Sequence, residues 1–376
     1  MKGWEIVTIK DITNNLDNKR IPLNSSQRAE KESQPLYPYI GANNIMGYID
    51  EYIFDEKILC LAEDGGSWGY NQKCAVIYNE KVWVNNHAHV LSAKGNLILE
   101  YLMYYLNFTD LNLYINGATR GKLTQSALNS IPISLPPLET QQKIASILDA
   151  ADTLRQKDKA LLAKYDELTQ ALFLDMFGDP VSNPKGWEKV KFSEVGKLDR
   201  GKSKHRPRNA PELLGGKYPL IQTGDVANSG GYITKYKHTY SDFGLAQSKL
   251  WKSGILCITI AANIAKTGIL TFDACFPDSV VGFIPNEKTN NEYTQYWMSF
   301  LQKIIEDAAP ESAQKNINLE ILRELDFPLP PFSLQNQFAE RIAIIEKQKA
   351  IAQASLEKSE ELFNSLLQKA FKGELV

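Results

Sequence analysis

A chain of 376 residues is too long for one ordinary hydrophobic core, so two or more domains are expected. The formal net charge of −2 excludes blanket affinity for nucleic acid and leaves any such contact to local patches. No apolar run approaches the ~20 residues of a membrane span, and the N-terminus lacks the apolar region of a signal peptide. Cys60, Cys74, Cys257 and Cys275 form no Cys-x-x-Cys pair, which argues against a zinc site or disulfide framework and for the reducing cytoplasm.

The first 134 residues open with Gly3-Trp4-Glu5 and continue as short apolar runs broken by Gly, Asn and Pro. Tyr37–Gly41, Gly47–Ile49, Ile58–Ala62, Ala75–Tyr78 and His87–Leu91 have the composition of strands separated by turns. A helix is predicted around Leu97–Leu106, and a polar loop, Asn116–Lys122, leads to Leu135-Pro136-Pro137. From there a charged, Leu-rich stretch without internal Pro or Gly runs to Phe177-Gly178. The Pro-Pro pair suits a helix start and Gly178 a helix stop. Ile147, Leu154, Leu161 and Leu168 recur every seven residues, with a companion row Ile144, Ala151, Asp158 and Tyr165 three positions before each, continued at Leu172. That is the pattern of a helix pairing with another helix.

Residues 179–328 repeat the order of the first domain. Gly186-Trp187-Glu188 matches Gly3-Trp4-Glu5, Gly231-Tyr232-Ile233 matches Gly47-Tyr48-Ile49, and Ile255-Leu256-Cys257 matches Ile58-Leu59-Cys60. Tyr293–Leu301 takes the place of the first domain's helix, and Ser312–Asn316 that of its polar loop. Leu329-Pro330-Pro331 then opens a second long stretch, ending Phe371-Lys372-Gly373, in which Phe338, Ile342, Ile345, Lys349, Ala352, Leu356, Ser359, Phe363, Leu366 and Ala370 step by four and three. Pro136 to Pro330 and Phe177 to Phe371 are both 194 positions, and Gln141, Ala145 and Leu172 fall on Gln335, Ala339 and Leu366 without a gap. The expected fold is α+β: two similar strand-rich domains, 1–138 and 179–332, joined by two long helices, 139–178 and 333–376, packed as an antiparallel coiled coil. Such an internal repeat implies an approximate twofold. The expected helix-pairing residues are Ile147, Leu154, Leu161, Leu168, Ile342, Ile345, Leu356 and Phe363. Each helix is a rod of roughly 55 Å.

The duplicated order (Gly-Trp domain, Leu-Pro-Pro with a Gln-rich helix start, long helix, then the same again) resembles the specificity subunit of type I DNA restriction–modification enzymes along essentially the whole chain. The resemblance implies two target-recognition domains, each reading one half of a split site in double-stranded DNA, and helices that serve as spacer and dock two methylation subunits. It also implies no catalysis by this chain. S-adenosylmethionine would be bound by the methylation subunits, and ATP with Mg²⁺ by restriction subunits. A rod of roughly 55 Å could separate module centres by at most about 16 base pairs.

Base reading needs Arg, Lys, Asn and Gln on loops that reach a groove. Residues 200–208 hold five basic side chains in nine positions: Arg200, Lys202, Lys204, Arg206 and Arg208. Arg120 and Lys122 in the first domain, and Gln314 and Lys315 in the second, occupy equivalent loops. These nine are the candidate DNA contacts. Three other patterns carry less. Gly196–Ser203 has P-loop spacing, but an alternating charged segment precedes it, and Pro207 and Pro211 would break the helix a phosphate cradle needs. His87 and His89 would share a strand face, but no third ligand is evident at a suitable spacing, so no metal site is assigned. Leu329-Pro330-Pro331-Phe332 resembles the Pro-Pro-aromatic of adenine methyltransferases but lacks the polar residue before it. No catalytic residue can be singled out. The alternative is a two-lobed assembly scaffold that binds protein or glycan without DNA specificity.

Overall fold

A computed structural model of the chain describes residues 3–32, 34, 36–42, 44–117, 119–261, 264–308 and 317–376, the side chains of 303–308 excepted. It divides into two units, Met1–Ala160 with Gln353–Val376, and Leu161–Ala352. Each long helix therefore contributes one half to each unit.

In the first unit Glu5–Thr8 pairs antiparallel with Pro132–Leu135, bringing the two ends of the strand-rich segment together. Between them lies an antiparallel sheet in the order Thr13–Asn15, Ala88–Ala93, Ile58–Ala62, Ala75–Tyr78. A smaller sheet has the order Ile45–Ile49, Tyr37–Ile40, Trp83–Val84. Ile58–Ala62 is apolar throughout because both of its faces are covered. Leu59 and Leu61 pack in one cluster with Leu102 of the helix Leu99–Phe108, whereas Ile58 and Cys60 point the other way, into a cluster with Ile40 and Val84 of the smaller sheet.

The second unit has the same plan. Lys189–Lys191 pairs with Asp326–Pro328. The main sheet runs Gly196–Arg200, Val280–Pro285, Leu256–Thr259, Thr267–Leu270, Tyr232–Ile233, and the smaller one His238–Tyr240, Leu214–Leu220, Ala274–Cys275, Leu250–Trp251. Leu256 and Ile258 face Trp297 of the helix Asn291–Ala308, and Cys257 faces Ile221 and Trp251. One expected equivalence fails. Gly47-Tyr48-Ile49 lies in a hairpin with Tyr37–Ile40, but Tyr232–Ile233 is a parallel edge strand beside Thr267–Leu270. The hairpin partner in the second unit is His238–Tyr240, which pairs with Leu214–Leu220. A helical turn, Thr223–Ala227, has been added ahead of Tyr232–Ile233, so three matching letters there do not mark a matching strand.

The long helices span Leu138–Phe177 and Phe332–Lys372. Their starts are built alike. The carbonyls of Pro137 and Pro331 each accept from two amides of the first turn. Gln141, buried, accepts from Ile98 N (2.9 Å) and donates to the carbonyls of Asn96 (3.1 Å) and Pro136 (2.8 Å). Gln335, also buried, accepts from Thr289 Oγ1 (2.8 Å) and donates to the carbonyls of Lys288 (3.0 Å) and Pro330 (2.9 Å). Gly178 and Gly373 stop the helices with φ of +77° and +76°, where a side chain would be strained.

Within each unit the two helix halves run antiparallel. In the first, Arg155 lies over the Phe363 ring at 4.3 Å, Lys159 pairs with Glu360 at 3.1 Å and Ser355 donates to Asp158 at 3.2 Å. In the second, Lys349 pairs with Asp166 at 2.8 Å, and the rings of Phe173 and Phe177 meet Phe338 at 5.6 and 5.3 Å. On the second helix the expected seam is the inward one: Ile342, Leu356 and Phe363 are buried and Ile345 half-buried. On the first helix it is not. Ile147, Leu154, Leu161 and Leu168 are 36, 45, 41 and 50 % exposed. The inward row is the companion one, with Ile144, Ala151 and Asp158 buried and Leu148, Thr169 and Met176 filling the alternate turns. A seven-residue apolar period fixes that one face repeats, but a helix carrying two such rows leaves the inward face to the space available. Here the smaller Ala151 and Asp158 allow close approach.

Candidate nucleic-acid interface

At one edge of the first unit's main sheet, strand ends and the segment around Lys122 gather a charged network. Leu123 N donates to the Glu63 carbonyl (2.7 Å) and Asp64 forms a bridge with Lys122, which pins this segment beside the end of Ile58–Ala62. Arg120 pairs with Asp64 at 2.9 Å, and Lys122 with Glu63 at 3.0 Å; both cations are about half exposed or more, and their partners largely buried. Behind them, Arg20 contacts Glu63 at 2.6 Å and Asp17 at 3.5 Å. His89 is buried, with Nδ1 2.6 Å from Asp17 and Nε2 donating to the Leu123 carbonyl at 2.8 Å, while His87 Nδ1 lies 2.7 Å from Asp64.

This arrangement bears on the metal question that His87 and His89 raised in the sequence. Asp17, Glu63 and His89 do bring ligand-type atoms within 4.8 Å of one another, which their spacing along the chain conceals. Their donors are already committed, however: Asp17 accepts from Val90 N and faces His89, Glu63 serves Arg20 and Lys122, and His89 Nε2 holds a carbonyl. Burial opposes ionisation of Asp17, but the His89 and Val90 hydrogen bonds outweigh it and hold the carboxyl below its ordinary value. Burial likewise opposes ionisation of Glu63, and Arg20 and Lys122 overcome it. These are the marks of a compensated ion-pair network that orients two exposed cations.

The equivalent edge of the second unit carries residues 200–208. Ile317 N donates to the Ile260 carbonyl (3.0 Å) as Leu123 N does to Glu63, so the edges correspond. The five basic side chains have different surroundings. Arg200 Nε donates to the Asp278 carbonyl (3.0 Å), and Arg208 Nη2 contacts Asp278 Oδ1 at 2.7 Å. Arg206 turns back on its own loop, with Nη1 donating to the carbonyls of Ser203 (2.6 Å) and His205 (2.8 Å), and its Nη2 lies 3.9 Å from Asp278 Oδ2. The exposed side chains of Lys202 and Lys204 make no ion pair among the described residues. Gln314 and Lys315 lie outside the described residues. Cavities of about 320 and 370 Å³ flank Arg208. In place of the buried His89, the second unit has Val281, opposite Ile258, so the two edges share a scaffold but not a chemistry.

The segment Gly196–Ser203 is a strand, Gly196–Arg200, followed by an irregular loop with no helix behind it, and so does not form a phosphate cradle. The four cysteines are free and buried; burial pushes the Cys74 thiol up to about 12 and Cys275 to about 11. No helix among the described residues is long and apolar enough to cross a membrane. Sequence reasoning missed Asp17, Arg20, Glu63, Asp64 and Asp278. Each reaches its partner across tens of residues, and no local spacing announces such contacts.

Residues 1–164 and 184–361 match the family model described as the type I restriction modification DNA specificity domain. The chain is 27 % identical over 355 residues to a putative type I restriction enzyme specificity subunit of Haemophilus influenzae, covering 90 % of this chain and 86 % of that one. It is 23 % identical over 380 residues to the putative MjaX specificity subunit of Methanocaldococcus jannaschii, covering 92 % and 87 %. Its fold is similar to the crystal structure of a type I restriction-modification S subunit from M. genitalium (TM-score 0.66, 14 % identity, 98 % and 96 % covered).

Proposed function

Because this chain belongs to the type I restriction modification DNA specificity family, we propose that it is the sequence-specificity subunit of a type I restriction–modification complex, with each unit reading one half of a bipartite DNA site. The observation that carries this reading is the duplicated scaffold with basic groups at equivalent sheet edges in different chemical settings. Arg120 and Lys122 are held by Asp64 and Glu63 in one unit, and Arg200 and Arg208 by Asp278 in the other. A common frame with unlike reading edges suits a split, asymmetric site better than a palindrome.

The long helices act as the spacer and dock methylation subunits. The exposed row Ile147, Leu154, Leu161 and Leu168 supports the docking role, since a repeated apolar stripe left in water favours a covering partner. The chain does no chemistry itself: S-adenosylmethionine belongs to the methylation subunits, ATP and Mg²⁺ to restriction subunits, and the assembly works in the cytoplasm. The test is methylome sequencing of the host with and without this chain. A split, asymmetric methylated motif should vanish with it; an unchanged methylome would overturn the proposal. Retention of the chain–methylation-subunit complex on duplex DNA should also fall steeply with salt, and affinity indifferent to salt would favour the assembly scaffold.

A further inference from the structure

Five basic side chains between 200 and 208 would, by charge alone, form one undifferentiated patch on the phosphates. Their surroundings separate them. Arg206 has Nη1 committed to its own loop and Nη2 3.9 Å from Asp278, and Lys202 and Lys204 are flexible ammonium groups without an ion pair among the described residues. Arg208 is the guanidinium of the five that a carboxylate holds at hydrogen-bond distance: Asp278 Oδ1 lies 2.7 Å from Nη2 while 47 % of the side chain stays exposed, whereas Arg206 reaches the same carboxylate only at 3.9 Å. Asp278 is itself fixed, its carbonyl accepting from Arg200 Nε at 3.0 Å. A carboxylate at a surface that binds a polyanion is unfavourable unless it does something the cations need. Here it holds a planar guanidinium in one orientation.

The ground beside Arg208 is a cleft of about 320 Å³ whose lining includes Ser203, Asn209, Gln222, Thr223 and Tyr240. Ser203 is 6 % exposed and its hydroxyl has no partner among the described residues, although a buried hydroxyl left unpaired is costly. Asn209 makes no side-chain hydrogen bond among the described residues. Amide and hydroxyl groups around a cleft, beside an oriented fork of donors, match the edge of a base and not a bare phosphate.

We propose that Arg208 is a base-reading residue of the second unit, specific for guanine, and that Asp278 is its positioning residue, while Lys202 and Lys204 hold phosphates. With one Nη2 hydrogen held by Asp278, the other Nη2 hydrogen and those of Nη1 remain for the parallel pair of bonds that guanine O6 and N7 accept. The inference rests on the DNA-reading function proposed above and adds which residue reads and what it reads.

The test is selection of bound duplexes, at fixed salt, by the complex with its methylation subunits. Arg208→Ala should abolish preference for a G·C pair at one position of one half-site, a loss of about 10- to 100-fold in discrimination. Arg208→Lys should keep overall affinity and weaken the same discrimination, because a freely rotating ammonium lacks the rigid planar fork that Asp278 orients. Asp278→Asn should relax that same position and no other, which a merely structural role would not produce. The double variant Lys202→Ala/Lys204→Ala should weaken binding evenly across sequences and lower the salt slope by about two, leaving the preferred sequence intact. Full discrimination at every position in both Arg208 variants would overturn the proposal while leaving the DNA-reading function standing. A wild-type complex with no sequence preference would overturn the function itself.

Discussion

Gln141 and Gln335 illustrate how much one side chain carries. Each satisfies backbone groups from the loop before it and the Pro-Pro segment beneath it, so it ties a helix start to the domain that precedes it. Gln141→Leu would leave those groups buried and unpaired, at about 1–3 kcal/mol each. With three such groups the expected loss is about 3 kcal/mol or more and should appear as a lower urea midpoint; an unchanged midpoint would show that water replaces the amide. Asp17 sets a pH dependence. Its carboxyl is held below its ordinary value in the fold, so its contribution is complete above the unfolded value of 3.8 and is lost as pH falls through the lower folded value. Asp17→Asn should therefore destabilise the chain at neutral pH and flatten the fall in stability on the acid side. Unfolding midpoints compared at pH 6 and pH 3 would reveal this, and parallel curves for the variant and wild type would contradict it.

For the long helices, the direction of the leucine row changes what a mutation should do. Leu154→Asp places its charge in water, so the pairing within the unit should survive, and circular dichroism and the unfolding midpoint should stay near wild type. Binding to methylation subunits should fall instead. Leu148, fully buried, behaves oppositely: Leu148→Ala should cost about 2–5 kcal/mol. If Leu154→Asp unfolds the chain, the outward assignment is wrong. The inward row was nevertheless within reach of the sequence. Moving the second helix's seam back by 194 positions lands on Ile144, Leu148, Ala151, Arg155, Asp158 and Thr169, the row that the structure buries or half-buries. The more conspicuous leucines map onto Arg341, Gln348, Ser355 and Leu362, all exposed. Repetition was a better guide to the seam than hydrophobicity. Polar members of the true seam, Asp158 and Lys349, reach the flanking Ser355 and Asp166 of the opposite helix and give each unit a register that an all-leucine interface would leave loose.

The whole molecule reads as one design used twice with different surfaces. Exchanging residues 1–134 for the same segment of a relative should change one half of the methylated site and leave the other, as sequencing of the modified genome would record. Changes in both halves would show that the units do not read independently. The second unit's added strand and helical turn, Tyr232–Ile233 and Thr223–Ala227, are built onto the edge of the shared frame: Tyr232–Ile233 extends the main sheet beside Thr267–Leu270, and Val226 and Ile233 pack with Cys257.

The sequence by itself determined the duplication, the two long helices with their Pro-Pro starts and glycine stops, and the alternation of strands and turns before each. These are local or periodic signals, written in neighbouring residues or in a constant offset. Only the tertiary structure decided which helix face turns inward, which strand His238–Tyr240 joins, and which basic residues are held by acids. Those outcomes depend on contacts such as Arg20 with Glu63 and Arg208 with Asp278, separated by 43 and 70 positions. No period links such pairs, and only the folded chain brings their charges to within hydrogen-bond reach.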